Sequence, residues 1–368
     1  MRLYSSFCDN PILTVELKNF TLYKNILIFI YNKMAINNII IVGCNIVGLY
    51  SALRCTDNGY RISIIERLSC DKLNSKHRNN YRVFNKSHQL YIHLLNRFSI
   101  KYESYTLKYN EKTTTVLSGI INKSKLIPKK TLNTQSFVKF CRSILSITDY
   151  NILKNNLEAF EHIYSNISAM DALVMFSSDI NTQQEYFILT DDISVLIERL
   201  IAYLKTKNVE FLFNTEIRDI TQSNNIIYSS TRTNTYISTI IILAISKSNL
   251  QRFNFLTKDQ RKYLNNVSKY NIDCESVYSD KHLKHEYDIK THLLDKLHIV
   301  CPIKKHSMYL WNYGINNIII REKIKNMFSH IFICGDSYSR NNFFLNYSLE
   351  TFDTMCSKVN HRMTTHTY

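Results

Sequence analysis

The first clear pattern in the sequence is an apolar run at residues 37–42, typical of a strand that is buried on both faces of a parallel sheet. Glycines follow at Gly43 and Gly48, and residues 49–55 have the apolar spacing of a helix. A second apolar run at residues 61–65 predicts the next strand. Together these elements predict one β-α-β unit of the dinucleotide-binding type.

The residues at the turns of this unit suit a dinucleotide. A tight turn at the end of the strand needs Gly43, and close packing of helix on strand needs Gly48. Glu66 lies 66 − 48 = 18 residues after Gly48, where an acid accepts ribose hydroxyls. Asn45 stands at the position of the middle glycine of G-x-G-x-x-G. Asparagine tolerates left-handed backbone better than most residues, but its side chain takes space beside the phosphates.

Two further ordered blocks follow along the chain. The second block predicts a helix and three strands, at residues 193–204, 209–213, 225–229 and 236–245. The third block predicts a buried strand, a turn and a helix, at residues 331–334, 335–336 and 347–359. This order of elements predicts an α/β fold with a Rossmann-like sheet.

The three blocks, in this order, resemble the flavin-containing amine oxidase superfamily, which includes the monoamine and L-amino acid oxidases. Residues 39–49, I-I-I-V-G-C-N-I-V-G-L, are similar to the FAD-binding fingerprint of that family. The last block, with G-D-S-Y-S and then L-E-T, is similar to the family's G-E-x-Y-S and G-A-L-E-T. Shorter similarities lie between them, at residues 82–90, 189–220, 240–244 and 311–314.

The resemblance implies a FAD-dependent oxidoreductase that oxidises the C–N bond of a small amine or amino acid, with O₂ as the electron acceptor. It implies no metal. The cofactor contacts that it implies are Gly43, Asn45, Gly48, Glu66, Arg67, Ile217, Ala244, Gly335, Asp336 and Asn346. The catalytic residues that it implies, on the substrate side, are Arg82, Trp311 and Phe344.

The resemblance also implies a division into domains. A discontinuous FAD/NAD(P)-binding domain is expected at residues 34–100, 185–250 and 318–360, with an inserted α+β substrate domain at 101–184 and 251–317. Met34 directly precedes the first strand, so we expect either that residues 1–33 form a loosely packed extension or that translation starts at Met34. Residues 361–368 are expected to form a tail.

Several departures from the family pattern fall where the cofactor is expected. Asn45, Phe343 and Tyr347 stand in place of glycines, and glycines let backbone touch a cofactor. No clear counterpart of the family's G-G-R motif follows Glu66. Two alternatives to an active oxidase therefore remain. One is an inactive relic of the fold that acts as a structural or interaction protein, and the other is a regulator that binds only the adenine half of a nucleotide.

The charge and composition add little to this choice. The net charge is +16, but the positive residues are spread along the chain, and the densest cluster, residues 123–130, has few aromatic residues for stacking on bases. A specific nucleic-acid partner is therefore not expected. The abundance of Tyr, Asn, Ile and Lys is typical of coding by an AT-rich genome, such as that of a large DNA virus or a protist.

The cysteines and the hydropathy bear on the compartment, and the histidines bear on a metal site. Nine cysteines, widely spaced and without a C-x-x-C pair, favour reduced thiols and hence an intracellular, cytoplasmic location. His282 and His285 have helical spacing, but no matched ligand set accompanies them, so packing or surface roles are favoured over a metal site. No apolar run approaches the roughly 18 residues of a transmembrane span. The sequence does not indicate an oligomeric state.

Overall fold

A parallel five-stranded sheet forms the centre of the protein. The computed structural model describes residues 38–71, 83–105, 111–157, 160–165, 167–180, 185–223, 225–265, 267–274, 304–311, 328–339 and 345–365. The strands of the central sheet are β1 (Asn38–Val42), β2 (Arg61–Ile65), β6 (Glu210–Leu212), β10 (Ile240–Leu243) and β13 (Ile331–Ile333). They lie in the order β13-β10-β1-β2-β6. Each neighbouring pair is parallel, as expected of a Rossmann-like α/β fold.

Strand β1 shows why the apolar run is continuous rather than alternating. Ile39 and Ile41 belong to a hydrophobic core on one face of the sheet, which also contains helices α1 (Ile46–Asp57), α2 (Gln89–Arg97), α9 (Ile193–Thr206) and α12 (Leu345–Thr365). Ile40 and Val42 belong to a second core on the other face. A strand that is covered on both faces must be apolar at every position.

The second face is covered by an antiparallel meander of β7 (Asp219–Ser223), β8 (Ile226–Ser230) and β9 (Thr235–Ser238). Two short helices, α10 (Lys247–Leu250) and α11 (Lys258–Leu264), follow the sheet strand β10. Leu250, Phe253 and Leu264 from this region pack into the same core as Ile227 of the meander. The meander and these helices thus form the second layer over the sheet.

A separate helical layer has its own core. Its helices are α3 (Glu111–Ser124), α4 (Lys129–Thr134), α5 (Phe137–Ile144), α6 (Ile147–Asn156), α7 (Phe160–Tyr164) and α8 (Ala169–Ile180). Phe137, Phe160 and Phe176 are almost completely buried there. The ring centroids of Phe137 and Phe176 lie 5.4 Å apart. Aromatic side chains of this size account for much of the apolar area that such a core removes from water.

Two smaller sheets complete the described chain. β5 (Tyr186–Leu189) lies between β3 (Val83–Asn85) and β4 (Tyr102–Tyr105) in an antiparallel sheet. β11 (Val267–Cys274) pairs with β12 (Lys304–Trp311), also antiparallel. The mixture of helices and antiparallel strands outside the central sheet agrees with the predicted α/β class with added α+β structure.

The prediction of one long strand at residues 236–245 is wrong. The chain forms β9 up to Ser238 and β10 from Ile240, and Thr239 separates them. β9 pairs antiparallel with β8, whereas β10 pairs parallel with β1 and β13. The two strands belong to different sheets, and the apolar pattern of the sequence does not show where the chain passes from one to the other.

Helix α1 begins at Ile46, three residues before the predicted start at residue 49, because the Asn45 side chain caps it. The last helix, α12, is also longer than the predicted 347–359.

Among the described helices, none is both long enough and apolar enough to cross a bilayer. Within the described parts of the chain, no three His, Cys, Asp or Glu side chains come together as metal ligands. His282 and His285 lie outside these parts.

Candidate functional site at the carboxyl edge of the sheet

Four strands of the central sheet end side by side. The last residues of these strands are in register, in the pairs Val42–Ile65, Val42–Leu243 and Leu243–Ile333. Gly43, Glu66 and Ala244 directly follow three of these strands, and Gly335 follows the fourth by two residues. The fold therefore brings four of the predicted cofactor residues, from distant parts of the chain, to the carboxyl edge where open α/β sheets bind ligands.

Gly43 and Gly48 are required by the packing of the protein itself. Gly43 has φ +107°, and a Cβ there would lie 2.4 Å from the carbonyl oxygen of Ala244. A Cβ on Gly48 would lie 2.0 Å from the carbonyl oxygen of Gly43. The first turn of α1 thus packs directly on the turn that follows β1, as the sequence predicts for these two glycines.

Asn45 is the N-cap of α1. Its backbone is extended, with φ −85° and ψ 177°, so a left-handed conformation does not explain the residue. The side-chain oxygen Oδ1 accepts a hydrogen bond of 3.1 Å from the Gly48 N–H. The side-chain nitrogen Nδ2 donates one of 2.6 Å to the carbonyl of Ala244. The side chain therefore joins the start of the helix to the end of β10.

The Glu66 carboxylate is buried and is fixed by the backbone. Oε2 accepts a hydrogen bond of 2.8 Å from the Cys44 N–H, and Oε1 accepts one of 2.9 Å from the Leu68 N–H. Only 9% of the residue is exposed. Because each carboxylate oxygen has two lone pairs, both oxygens keep capacity for a further donor such as a ribose hydroxyl.

Gly335 is buried at the carboxyl edge of the sheet. Its φ of +120° is a conformation that L side chains rarely adopt, and apart from its chain neighbours no heavy atom of the described residues lies within 4 Å of the position that its Cβ would take. Its N–H donates a hydrogen bond of 2.9 Å to Oγ1 of Thr351 on α12. Asp336 follows as the first residue of a short 3₁₀ turn, Asp336–Tyr338, and is partly exposed.

The remaining predicted cofactor residues have different surroundings. Ile217 is buried in the core beneath the meander, and Arg67 is exposed beside Glu66. Asn346, at the start of α12, is buried. Its Oδ1 accepts from the Tyr91 N–H at 3.2 Å, and its Nδ2 donates to Glu350 at 3.0 Å. The first bond joins α12 to α2 and the second lies within α12, so the structure gives Asn346 a packing role.

Two of the three predicted substrate residues, Arg82 and Phe344, lie outside the described residues. The backbone of Trp311 pairs with Val267 at the end of the β11–β12 pair, and its side chain lies outside the description. Their assignment to a substrate site stays a prediction.

The structure brings His88, which precedes α2, against Tyr347 in the first turn of α12. The two rings meet edge to face, with centroids 5.5 Å apart. The His88 Nδ1 accepts a hydrogen bond of 3.1 Å from the Asn85 N–H, so the ring proton resides on Nε2. Burial lowers the pKa of His88 to about 3, and the ring is therefore neutral near pH 7. The sequence gives no signal that His88 is buried, because Lys86, Ser87 and Gln89 beside it are polar.

Lys247 is a second residue that the sequence did not single out. It begins α10, three residues after Ala244, and its backbone N–H donates to Oγ of Ser337 at 3.1 Å. Partial burial lowers the pKa of its side chain. The position just past the end of β10 was the available signal, because residues there lie at the ligand-binding edge of such sheets.

The cysteines near the edge are unsuited to nucleophilic roles. Cys44 and Cys334 are completely buried. Burial raises the pKa of the Cys334 thiol to about 12 and raises that of Cys44 further above its usual range. Both therefore remain protonated near neutral pH, and a thiol is a poor nucleophile.

The described residues fit both ends of a FAD molecule. At one end, Glu66 offers two acceptor oxygens after β2, where a ribose is expected. At the other end, no described residue fills the space beside Gly335, so its backbone can approach a ligand. The point of poorer fit lies between them, where the side chain of Asn45 crosses the start of α1. Glycine at that position leaves the helix terminus open to a pyrophosphate.

The comparisons with known proteins concern the whole fold. The chain is similar to wild-type putrescine oxidase bound to putrescine, with a TM-score of 0.64 and 12% identity over 88% of this chain and 99% of that one. It is similar to cyclohexylamine oxidase from Brevibacterium oxydans IH-35A, with a TM-score of 0.62 and 9% identity over 89% and 99%. The chain has the flavin amine oxidase fold.

A fatty acid isomerase from P. acnes that produces CLA is also similar to this amine oxidase-fold chain. The TM-score is 0.59 and the identity 14%, over 87% of this chain and 98% of that one. No protein-family model and no curated protein sequence matches. The predicted resemblance and fold class are thus confirmed at the level of the fold. Identities this low carry neither activity nor substrate, since one fold hosts different reactions.

Proposed function

We propose that this protein is a FAD-dependent oxidoreductase of the amine oxidase type, which oxidises the C–N bond of a small amine or amino acid with O₂ as acceptor. One observation carries the proposal. Gly335, buried at the carboxyl edge of the sheet, has a backbone conformation that favours glycine, and among the described residues no atom fills the space beside its Cα. Open space beside such a glycine is what a closely approaching cofactor needs.

In this proposal, different residues at the carboxyl edge bind different parts of FAD. Glu66 accepts hydrogen bonds from the ribose hydroxyls, and Ile217 provides an apolar contact at the adenine end. Gly335 and Asp336 face the ribityl and phosphate part. Gly43 and Gly48 keep helix α1 close to the sheet, so that its positive end points toward the phosphates. FAD, when bound, supplies the two-electron oxidation of the C–N bond.

The substrate side is assigned by resemblance alone. Arg82, Trp311 and Phe344 line it in this proposal, and an aromatic wall suits a neutral amine that lies against a flat ring. The role of the protein there is to bind and orient the amine and to exclude water.

A second candidate is an inactive relic of the fold that serves as a structural or interaction protein. The side chain of Tyr347 favours it. Tyr347 stands where the family has a glycine, is partly buried, and packs both against His88 and against the helical core. A tyrosine that is held in place by the protein takes up room that a ring cofactor needs.

Titration of the purified protein with FAD separates the two candidates. Binding is followed at equilibrium by the flavin absorption near ~450 nm and by the thermal midpoint, which rises when a ligand binds only the folded state. An amine screen for peroxide, with FAD in excess, then tests turnover. A flavin signal together with peroxide supports the oxidase. A protein that gains no thermal stability in excess FAD and forms no peroxide refutes the oxidase and supports the relic.

A further inference from the structure

The side chain of Asn45 accepts a hydrogen bond from the N-terminus of α1, as a bound phosphate does in a dinucleotide site. The first N–H groups of a helix lack partners within the helix, and an anion bound there satisfies them. In this protein Oδ1 of Asn45 accepts the Gly48 N–H at 3.1 Å. One donor at the helix terminus is therefore satisfied before any ligand arrives.

The other end of the same carboxamide fixes its orientation. Nδ2 of Asn45 donates to the Ala244 carbonyl at 2.6 Å. This bond holds the amide between α1 and the end of β10, with the oxygen toward the helix. A phosphate that approaches the terminus meets an oxygen with partial negative charge, and it must displace the amide or bind beside it.

The acid at the ribose position also forms hydrogen bonds within the folded chain, although each of its oxygens can accept a further one. Glu66 accepts from the Cys44 N–H and the Leu68 N–H. Both polar anchors of the dinucleotide half thus form their bonds within the folded chain.

We propose that Asn45 is an affinity-determining residue: it completes the fold of the apoprotein and makes FAD a weakly held, exchangeable cofactor. The proposal rests on the proposed function, since it concerns the same cofactor site. It extends that function by attributing the weak binding of FAD to one side chain at the pyrophosphate position.

The test compares Asn45→Gly with the wild-type chain and with Asn58→Gly. Asn58 caps the opposite end of the same helix, and its side chain donates to the Arg54 carbonyl at 2.8 Å, so it is a matched control for loss of a capping asparagine. The dissociation constant for FAD is measured by isothermal titration calorimetry, and the thermal midpoint of each apoprotein by calorimetry without FAD.

The expected result for Asn45→Gly is FAD binding that is about tenfold tighter, because the helix terminus becomes open to the pyrophosphate. The apoprotein is expected to melt about 2 °C lower, since the cap and the bond to Ala244 are lost. Asn58→Gly is expected to lower the melting point without changing FAD affinity. Equal or weaker FAD binding by Asn45→Gly overturns the proposal.

Asn45→Asp tests the direction that the side chain faces. A carboxylate can still cap the helix, but its charge repels a pyrophosphate at the same terminus. FAD affinity is expected to fall below that of the wild type. Unchanged affinity shows that residue 45 does not face the phosphates and overturns the proposal.

The experiment distinguishes this proposal from the proposed function. If the wild type binds no FAD at millimolar concentration but Asn45→Gly does, Asn45 is confirmed as the barrier and the oxidase function falls. If neither protein binds FAD, both proposals are wrong. If both bind with the same affinity, the oxidase function stands and the role of Asn45 falls.

Discussion

Two glycine-containing turns lie at the same edge of the sheet, and they differ in what surrounds them. In the turn after β1, a Cβ on Gly48 would lie 2.0 Å from the Gly43 carbonyl oxygen. In the turn after β13, a Cβ on Gly335 would meet no heavy atom of the described residues within 4 Å, its chain neighbours aside. The first turn is thus filled by the protein itself, whereas no described residue fills the second, which we call the open turn.

The difference shows that glycines of one fingerprint can be kept for different reasons. Gly43 and Gly48 are needed for helix α1 to pack on the sheet, with or without a cofactor, so their presence says little about function. No described residue fills the space at Gly335, so it is the better evidence for a ligand. A relic that lost its cofactor would be expected to keep the first turn and to lose the second.

Gly48→Ala is expected to have the largest effect, because it breaks the closed turn. A methyl group 2.0 Å from a backbone oxygen forces the helix away from the strand, and we expect a loss of at least about 3 kcal/mol of stability, measured by denaturant unfolding. Gly119→Ala, in α3 with no atom within 4 Å of the new Cβ, is the control and is expected to be neutral or slightly stabilising. Equal effects of the two would mean that the turn is not closed.

Gly335→Ala and Gly59→Ala form a matched pair for the open turn. Both glycines have positive φ, +120° and +80°, and within the described part of the chain neither Cβ would meet an atom of a residue beyond its neighbours within 4 Å. Each substitution is expected to cost about 1–2 kcal/mol of apoprotein stability through backbone strain. Only Gly335→Ala is expected to weaken FAD binding, by about tenfold, because its methyl group enters the cofactor space. Equal FAD affinities for the pair would remove the evidence for a ligand at the open turn.

His88 gives an effect that is absent near neutral pH and appears only in acid. It contacts the first turn of α12 through Tyr347, and Thr351 on the same helix binds the Gly335 N–H. Because burial lowers the pKa of His88 to about 3, the unfolded chain binds a proton below about pH 6.5 and the folded chain does not. The contribution of His88 to the free energy of unfolding is therefore fully present above about pH 6.5. It falls toward pH 3, and the loss is about 2 kcal/mol at pH 5.

Unfolding of the wild type, His88→Asn and His93→Asn at pH 7.5 and pH 5.0 checks this dependence. His93 is exposed on the same helix α2 and is the control. His88→Asn is expected to lose less stability between the two pH values than the wild type, whereas His93→Asn is expected to follow the wild type. Identical losses in all three proteins would show that His88 is protonated in the folded state.

The sequence predicted the fold because the decisive signals are local. A continuous apolar run, two glycines five residues apart and an acid at the end of the next strand each have a physical cause within one β-α-β unit. The strand at residues 61–65 has the predicted bounds, and helix α9 begins at the predicted Ile193. The division of residues 236–245 between two sheets was not predicted, because it depends on pairing with strands that are distant in sequence.

The candidate site was predicted in its residues but not in its contacts. The sequence by itself determined that glycines and acids would follow the strands, since strand ends and turn chemistry are read from neighbouring residues. Only the tertiary structure decided that Asn45 and Glu66 form hydrogen bonds within the chain while no described residue fills the space at Gly335. The physical reason is that packing and hydrogen bonding join β1, β10 and β13 across some two to three hundred residues, and no local pattern carries that information.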